Sequence, residues 1–230
     1  MGRRPQSRGT CEYCGEETTR SGMLKHLAKC DKRAQTIRAA EMGRQAEENL
    51  WHVRAQDHYA KEFWIDLEMR GTATLETLDS YLRAIWLECC GHLSKFTVGG
   101  WHGYDVSKSR KADDVFTKET TLLHLYDFGT TSETEIQVIG SRTGRAVTRH
   151  PIALMARNRM PEVPCQECGR PAAFLCLECL YQADDEFGNW YLCAEHAQEH
   201  PHEEYGEPLP LVNSPRLGMC GYVGPANPPY

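Results

Sequence analysis

The chain has 230 residues, a formal net charge of -6 and eleven cysteines. This length suits one medium-sized domain with small additional modules. The apolar runs are too short to span a membrane and the first residues do not resemble a signal peptide, so we expect a cytoplasmic protein with reduced cysteines and no membrane partner.

The charge is distributed unevenly along the chain. Residues 1–38 hold nine Lys or Arg against four acids, whereas residues 165–230 hold two against ten. A basic segment attracts phosphate, and an acidic one repels it. We therefore expect nucleic acid, if it is a partner, at the N-terminus, and a protein partner at the acidic C-terminal end.

Near the N-terminus, the spacing of four residues is close to that of a zinc finger. The set is Cys11, Cys14, His26 and Cys30, in which a cysteine replaces the usual final histidine. Two thiolates on a turn and two helical side chains at i and i+4 converge on one ion. The spacing predicts a zinc site, with Ser21 capping the helix. The alternative is a pair of incidental cysteines in a disordered tail.

Two functions remain open for this finger. The positions that read bases in DNA-binding fingers fall on Thr19, Gly22 and Lys25, and Gly22 has no side chain for the purpose. A single finger also buries too little DNA for specific recognition. Its basic residues can still contact phosphates, or simply be solvated around a structural finger: Arg3, Arg4, Arg8, Arg20, Lys25, Lys29, Lys32 and Arg33.

We divide the chain into four parts. Residues 1–33 form the basic finger, and residues 34–57, rich in Ala, Gln, Glu and Arg with few apolar positions, are predicted to be a helical linker. Residues 58–160 form the central domain, and residues 161–230 form an acidic zinc module. Its tail beyond Gly224 is rich in proline and is predicted to be loose.

The central domain alternates strand and helix patterns. Leu75 begins a helical pattern that extends to Cys90, with Thr74 as its cap and Gly91 as its end. Strands are predicted over 63–69, 92–98, 122–128, 133–139 and 151–157, the third and fourth paired as a hairpin, and an exposed loop over 107–114. This pattern predicts an α+β class, with a small mixed or antiparallel sheet and helices flanked by two small zinc-binding modules.

Two segments of this domain resemble the plasmid pRiA4b ORF-3-like family. They are TATLETLDSYLRAIWLECCGHLSKFTVGG, from Thr72, and LLHLYDFGTTSETEIQVIG, from Leu122. The motif residues are Gly91, His92, Leu93 and Phe96, then Tyr126, Asp127, Phe128 and Gly129. The family's Pro-x-x-Trp-Arg segment is missing here. The resemblance covers roughly residues 59–160. Family members occur in bacteria and archaea, often near mobile elements, and the resemblance implies a fold more than a function.

Catalytic signals in the central domain are weak. Asp127-Phe128-Gly129 copies a kinase triplet, but the other kinase motifs are missing. The candidates that can converge on a pocket are His92, His124 and Asp127, with His102, Glu133 and Glu135 as further members. The alternative is a core histidine and a solvated hairpin face. Cys89 and Cys90 are predicted to be small buried residues rather than a nucleophile or metal ligands.

The C-terminal part has four closely spaced pairs of metal-binding side chains. They are Cys165 and Cys168, Cys176 and Cys179, Cys193 and His196, and His200 and His202. Only seven residues separate Cys168 from Cys176, which is too short for sequential pairing in a zinc ribbon. We therefore predict interleaved pairing, as in the B-box class of cross-braced domains, which this order resembles. The first and third pairs hold one ion, and the second and fourth hold another.

One alternative concerns the last pair. His200 and His202 are separated only by Pro201, and Glu199 or Cys220 can take the place of one of them. Cys220 is otherwise predicted to be a buried cysteine that binds no metal. Four protein ligands leave no position for water, which favours structural over catalytic zinc.

The sequence thus predicts about three zinc ions per chain and a binding role rather than catalysis. In the favoured interpretation, the chain is an adaptor between nucleic acid, or a nucleic-acid machine, and a protein. The alternatives are a hydrolase or nuclease with its site in the central domain, and a pure protein scaffold.

Overall fold

The computed structural model describes residues 7–88, 90–182, 190–200 and 204–230. A nine-stranded antiparallel sheet dominates it, and a three-stranded sheet lies near the C-terminus. Helices accompany both sheets, so the predicted α+β class is confirmed. Within the described ranges, no helix is both long and apolar enough to cross a membrane.

The large sheet contains nine strands. They are β1 (Arg8–Cys11), β2 (Glu17–Thr19), β3 (Glu48–Asp57), β4 (Trp64–Arg70), β5 (Ser94–Val98), β6 (Tyr104–Val106), β7 (Thr121–Tyr126), β8 (Ser132–Gly144) and β9 (Ile152–Asn158). Their spatial order is β2-β1-β9-β4-β3-β8-β7-β5-β6. The N-terminal hairpin therefore extends one edge of the central sheet.

The helices are short. They are α1 (Arg20–Leu27), α2 (Asp31–Glu41), α3 (Leu75–Leu82), α4 (Ala112–Val115), α5 (Leu177–Gln182) and α6 (Ala194–Glu199). A π-helical turn over Arg83–Leu87 continues α3. The small sheet contains β10 (Phe174–Leu175), β11 (Tyr191–Leu192) and β12 (Leu209–Pro210), with β10 in the centre.

The main core lies between one face of the large sheet and α3 with its π-helical turn. Leu78, Leu82 and Trp86 are fully buried against strand residues such as Leu67 and Ile136. Thr74 begins α3 as predicted, because its hydroxyl accepts a hydrogen bond from the Thr77 amide. The helical pattern ends at Leu87, before Gly91.

The other face of the sheet is polar yet largely buried. Asp66 on β4 accepts a hydrogen bond from Arg54 on β3 at 2.6 Å. Glu68, also on β4, pairs with Arg142 at 2.7 Å and with Arg33 of α2 at 3.5 Å. These ion pairs connect α2 to this face, so the segment after the finger is part of the folded domain.

The prediction of a helical linker over 34–57 is wrong in its second half. Helix α2 ends at Glu41, and residues 48–57 form β3, between β4 and β8. The polar side chains of β3 did not indicate a strand, because Arg54 and Gln56 find their partners on neighbouring strands and on Arg20, all outside β3. The loop predicted over 107–114 contains the start of α4, where Ala112 is buried. The four-part division of the chain stays a prediction.

The C-terminal tail returns to the central domain. Arg157 on β9 donates hydrogen bonds to the carbonyl oxygens of Asn213 and Ala226, at 2.6 and 2.7 Å. Tyr230 stacks on His150, with ring centroids 4.2 Å apart. The prediction of a loose tail is therefore wrong, because the residues that hold the tail, Arg157 and His150, lie in the central domain.

Candidate metal centres

The first candidate centre, the N-terminal cluster, consists of Cys11, Cys14, His26 and Cys30. One ligand atom from each lies within 4.8 Å of those of the other three. Cys11 ends β1, and a backbone turn returns to β2 after Cys14, where Gly15 has a φ of 76°. Glycine adopts this left-handed conformation without a steric penalty. The turn thus presents two sulfurs to one point.

The helical half of this cluster differs from the prediction. His26 lies in α1, which ends at Leu27, and Cys30 is the cap residue of α2. The two side chains converge across a break between helices rather than along one helix. Thr19, not Ser21, caps α1, since its hydroxyl accepts a hydrogen bond from the Gly22 amide at 3.1 Å.

His26 is oriented by a second partner. Its Nε2 lies 3.3 Å from Cys14 Sγ, while its Nδ1 lies 3.2 Å from Oε2 of Glu16. A carboxylate on one ring nitrogen fixes the tautomer that leaves the other nitrogen free to bind a metal. Burial raises the pKa of the Cys11 thiol to about 12, so this buried sulfur needs a cation to become a thiolate.

The second candidate centre, the first C-terminal cluster, consists of Cys165, Cys168, Cys193 and His196. Cys193 precedes α6 and His196 lies within it, so both face the turn that carries the other two cysteines. Burial would raise the pKa of Cys165, but the hydrogen bond from His196 and backbone donors lower it to about 6. The surroundings of Cys165 therefore favour its thiolate form.

A guanidinium lies beside this cluster. Arg170 Nε lies 3.3 Å from Cys168 Sγ, and its Nη2 lies 3.6 Å from Cys193 Sγ. Glu195 accepts a further hydrogen bond from the same Nη2. The hydrogen bond from Arg170 lowers the pKa of the Cys168 thiol. Three thiolates and one neutral imidazole around Zn²⁺ carry about -1 of net charge, which this guanidinium offsets.

The third candidate centre, the second C-terminal cluster, consists of Cys176, Cys179 and His200. Cys179 Sγ lies 2.9 Å from His200 Nε2. Burial raises the pKa of the Cys179 thiol to about 11. His202, the predicted fourth ligand, lies outside the described residues. The side chains are grouped in the interleaved order expected from the sequence rather than in sequential pairs.

The spacing of the ligand atoms in the first C-terminal cluster fits a tetrahedral ion. Zinc bonds of the usual length place two sulfurs about 3.8 Å apart and a sulfur and a nitrogen about 3.5 Å apart. Cys168 and Cys193 have sulfurs 3.9 Å apart, and Cys165 Sγ lies 3.3 Å from Nδ1 of His196. Several Cys and His clusters of this chain can therefore hold metal ions.

A fourth group, which we call the central cluster, contains Cys90, His92 and Cys220. Their ligand atoms also lie within 4.8 Å of one another, and Cys90 Sγ lies 2.8 Å from His92 Nε2. Cys90 and Cys220 are exposed, contrary to the prediction that both are buried. Among the described residues, Cys220 groups with Cys90 and His92 rather than with either C-terminal cluster. No spacing in the sequence groups these three residues, because His92 and Cys220 lie 128 positions apart.

Only two of the three weak catalytic candidates lie together. His92 Nε2 lies 3.4 Å from Asp127 Oδ2, whereas His124 is fully buried against Asp79. Burial would raise the pKa of Asp127, but the hydrogen bond from Arg216 and two backbone donors lower it to about 2. Glu133 and Glu135 instead bind Tyr59 and His58 at 2.8 and 2.7 Å.

The basic residues of the finger fall into two groups. Arg8 and Arg20 donate hydrogen bonds to backbone carbonyls, of Glu17 and Lys61 respectively. Lys25 and Lys29 are exposed. Arg3 and Arg4 lie outside the described residues. Arg8 and Lys32 are exposed as well, whereas Arg20 and Arg33 are partly buried.

Comparison with known proteins adds little. No family model matches the sequence, and no match was found among curated proteins. Among solved structures, the chain is similar to the crystal structure of a protein of unknown function from Methanosarcina mazei Go1, at 19% identity and a TM-score of 0.41. That match covers 48% of this chain and 69% of the other. At this distance the similarity carries no argument about function.

Proposed function

We propose that this chain is a zinc-stabilised interaction protein, in which the N-terminal cluster and the two C-terminal clusters are structural. One observation carries this proposal: two of these clusters each supply four Cys or His ligand atoms within 4.8 Å of one another. Four protein ligands complete the zinc tetrahedron and leave no position for a reacting water. Such zinc holds a fold together rather than performing chemistry.

The need for metal is greatest in the C-terminal part. Its apolar cluster consists of Cys176, Leu192 and Ala197, with Phe174 and Cys179 packed against it. A core of this size cannot offset the conformational entropy of the segment. A structural zinc ion contributes on the order of 10 kcal/mol to the folding of small modules. We therefore infer that this part folds only around its metal.

Elemental analysis tests the structural role. The purified protein should contain zinc, and Cys11→Ser, Cys165→Ser and Cys176→Ser should each remove about one ion. Chelation should unfold the C-terminal part while most of the large sheet remains. A protein that keeps its full structure after complete zinc removal would contradict the proposal. The control is His102→Gln, which alters an exposed histidine outside every cluster.

The adaptor role is the finer part of the proposal. Lys25 and Lys29 are exposed on or just after α1. The exposed acids of the C-terminal part include Glu167, Glu195, Glu199, Glu204 and Glu207. This separation supports contact with phosphate at one end and with a protein at the other. The alternative is a protein scaffold whose charged ends are solvated and bind no nucleic acid.

Salt-dependent binding separates the two alternatives. For a 20-base-pair duplex followed by fluorescence anisotropy, Lys25→Gln with Lys29→Gln should lower the slope of log affinity against log salt by roughly 2. The matched control replaces Lys111 and Lys118, which are exposed on the central domain. If the slope of log affinity against log salt is the same in both double variants, the proposal that the N-terminal end binds nucleic acid is contradicted. If the protein binds neither duplex nor single-stranded nucleic acid at low salt, the scaffold alternative is favoured.

We also propose that the central domain belongs to the pRiA4b ORF-3-like family. The two motifs that carry the resemblance flank neighbouring strands, since Gly91 and His92 precede β5 and Asp127 follows β7. Ser94 and Tyr126 are direct partners in that pair of strands. An experimental structure of a family member with a different order of these strands would contradict the assignment.

A hydrolase remains the second candidate. The specific observation in its favour is the approach of His92 to Asp127 at 3.4 Å. His124 takes no part, because Asp79 holds it in the core. Reproducible cleavage of a nucleic acid or phosphate ester that is lost in His92→Gln but not in His102→Gln would favour this candidate over the adaptor.

A further inference from the structure

The central cluster lies where three segments of the chain meet. Cys90 and His92 are in the loop between the π-helical turn and β5, Asp127 follows β7, and Cys220 is in the C-terminal turn. His92 Nε2 is 3.4 Å from Asp127 Oδ2, and Cys220 Sγ is 3.6 Å from the same oxygen. Two sulfurs and one imidazole nitrogen thus lie around a single point, and the Asp127 carboxylate lies beside the His92 and Cys220 side of it.

The backbone around this point adopts unusual conformations. Asp127 and Cys220 have φ angles of 65° and 52°, and within the described ranges they are the two non-glycine residues with positive φ. Such conformations cost of order 1–3 kcal/mol each and persist where the surrounding structure enforces them. Both occur at the central cluster, where they direct a carboxylate and a thiol toward the same place.

Neighbouring groups fix the loop that carries Cys90 and His92. Glu88 accepts hydrogen bonds from the Gly91 amide at 2.6 Å and from the Tyr126 hydroxyl at 3.2 Å. The Tyr126 hydroxyl also accepts a hydrogen bond from the His92 amide at 3.3 Å. The loop therefore has its own set of supporting contacts, as the ligands of metal sites usually do.

A buried arginine fixes the other half. Arg216 is fully buried, and its Nη2 donates to Asp127 Oδ2 at 2.5 Å and lies 3.6 Å from Cys220 Sγ. Asp127 Oδ1 accepts hydrogen bonds from the amides of Gly129 and Thr130. The carboxylate is held from both sides, and its position does not depend on solvent.

We propose that Cys90, His92 and Cys220 form a further zinc site, in which the described residues leave one coordination position open beside Asp127. The three ligand types are those that zinc prefers, and two thiolates with one neutral imidazole leave the ion uncharged overall. Three protein ligands and an exchangeable fourth are the arrangement of zinc sites that bind water or substrate. A water in that position would lie beside Asp127 Oδ2, a hydrogen-bond acceptor.

This inference goes beyond the proposed function, which assigns only the other three clusters. Each of the other three clusters contains at least one buried cysteine, whereas the central cluster contains none. Cys90 and Cys220 are exposed, whereas Cys11, Cys165 and Cys176 are buried in their clusters. The ion of the central cluster is thus open to small ligands from solvent. It also ties the C-terminal turn to the loop before β5.

Metal counting tests the site. Wild-type protein should hold about four zinc ions, one for each cluster, and His92→Gln and Cys220→Ser should each hold about three. His102→Gln, a matched histidine variant outside the clusters, should keep the wild-type number. If His92→Gln retains all the metal of the wild type, both as purified and after reconstitution with Co²⁺, the site is overturned.

The cobalt form tests the open position. Azide should change the visible spectrum of Co²⁺-loaded wild type and Cys11→Ser, and should leave the spectrum of His92→Gln unchanged. A wild-type spectrum that does not respond to azide would overturn the open position. Failure of the structural sites gives a different result: wild type then holds fewer than three ions, while the difference between wild type and His92→Gln still decides this proposal.

Discussion

In the interior of the central domain, Nε2 of His124 lies 2.7 Å from Oδ1 of Asp79, and both side chains are fully buried. Burial lowers the pKa of His124, so the imidazole is neutral at pH 7 and donates its Nε2 proton to the carboxylate. Burial would raise the pKa of Asp79, but hydrogen bonds from His124, Ser94 and Lys108 bring it well below its usual range.

This pair predicts loss of stability in acid. A histidine whose pKa is lowered by folding contributes its full stability above its unfolded pKa of about 6.5, and loses it as the pH falls below that value. The Asp79 contribution is lost only at still lower pH, below the ordinary carboxyl range. The charged groups near the pair are Lys108 and Arg83, which oppose a positive imidazole.

The prediction is measured by urea unfolding between pH 7 and pH 5 in excess zinc. The free energy of unfolding of the wild type should fall with a slope of up to about 1.4 kcal/mol per pH unit from this histidine. His124→Gln keeps an amide donor toward Asp79 but does not titrate, so its slope should be smaller. Equal slopes in the two proteins would show that His124 does not contribute.

A second prediction concerns the partner of His26. Removing the carboxylate in Glu16→Ala frees the imidazole to change tautomer and orientation. We expect the zinc affinity of the N-terminal cluster to fall about 10- to 100-fold, as is common for such partners. Competition with a chromophoric chelator measures this loss. Glu17→Ala, which breaks only the surface pair with Arg159, should leave the affinity unchanged.

A third prediction concerns the cation beside the first C-terminal cluster. Arg170→Gln removes the positive charge near Cys168 and Cys193, so the thiolate-rich site should lose zinc more readily. We expect the off-rate to a strong chelator to rise, with a smaller effect in high salt, because Arg170 is exposed. Arg159→Gln, an exposed arginine that pairs with Glu17, is the control. An unchanged off-rate would rule out this role.

Local sequence patterns predicted much of the central domain, because the apolar periodicity and the cap residues of its elements lie within the elements themselves. Ile65 and Leu67 alternate with Asp66 and Glu68, which identified β4, and Thr74 marked the start of α3. The interleaved order of the C-terminal pairs was also accessible, because a short spacer excluded the simpler arrangement. In these cases the residues that determine the structure are close together in sequence.

Features that depend on distant partners were not accessible. Strand β3 carries many polar residues, and its buried Arg54 depends on distant partners, chiefly Asp66, which lies opposite it on β4. The central cluster combines Cys90 and His92 with a cysteine from the far end of the chain. The Cys-x-His spacing was its only local signal, and it indicates nothing about the missing third ligand.

The last prediction concerns the attachment of the finger to the sheet. Gly9 on β1 pairs with Asn158 on β9, and a side-chain carbon at this position would meet the Arg157 carbonyl oxygen and the Trp64 ring at under 3.0 Å. Neither the backbone nor the fully buried indole can move aside cheaply, so Gly9→Ala should lower the free energy of unfolding by about 1–3 kcal/mol.

The readout is hydrogen exchange of β1 and β9 amides together with the thermal midpoint. Gly140→Ala on β8 is the matched control, since a carbon there meets nothing within 4 Å, and it should be neutral or slightly stabilising. If the Gly9→Ala variant loses protection in β1 and β9 but still binds zinc at the N-terminal cluster, metal binding folds the finger and the pairing with β9 positions it on the sheet. Unchanged protection of β1 and β9 would mean that the finger is not held by this pairing.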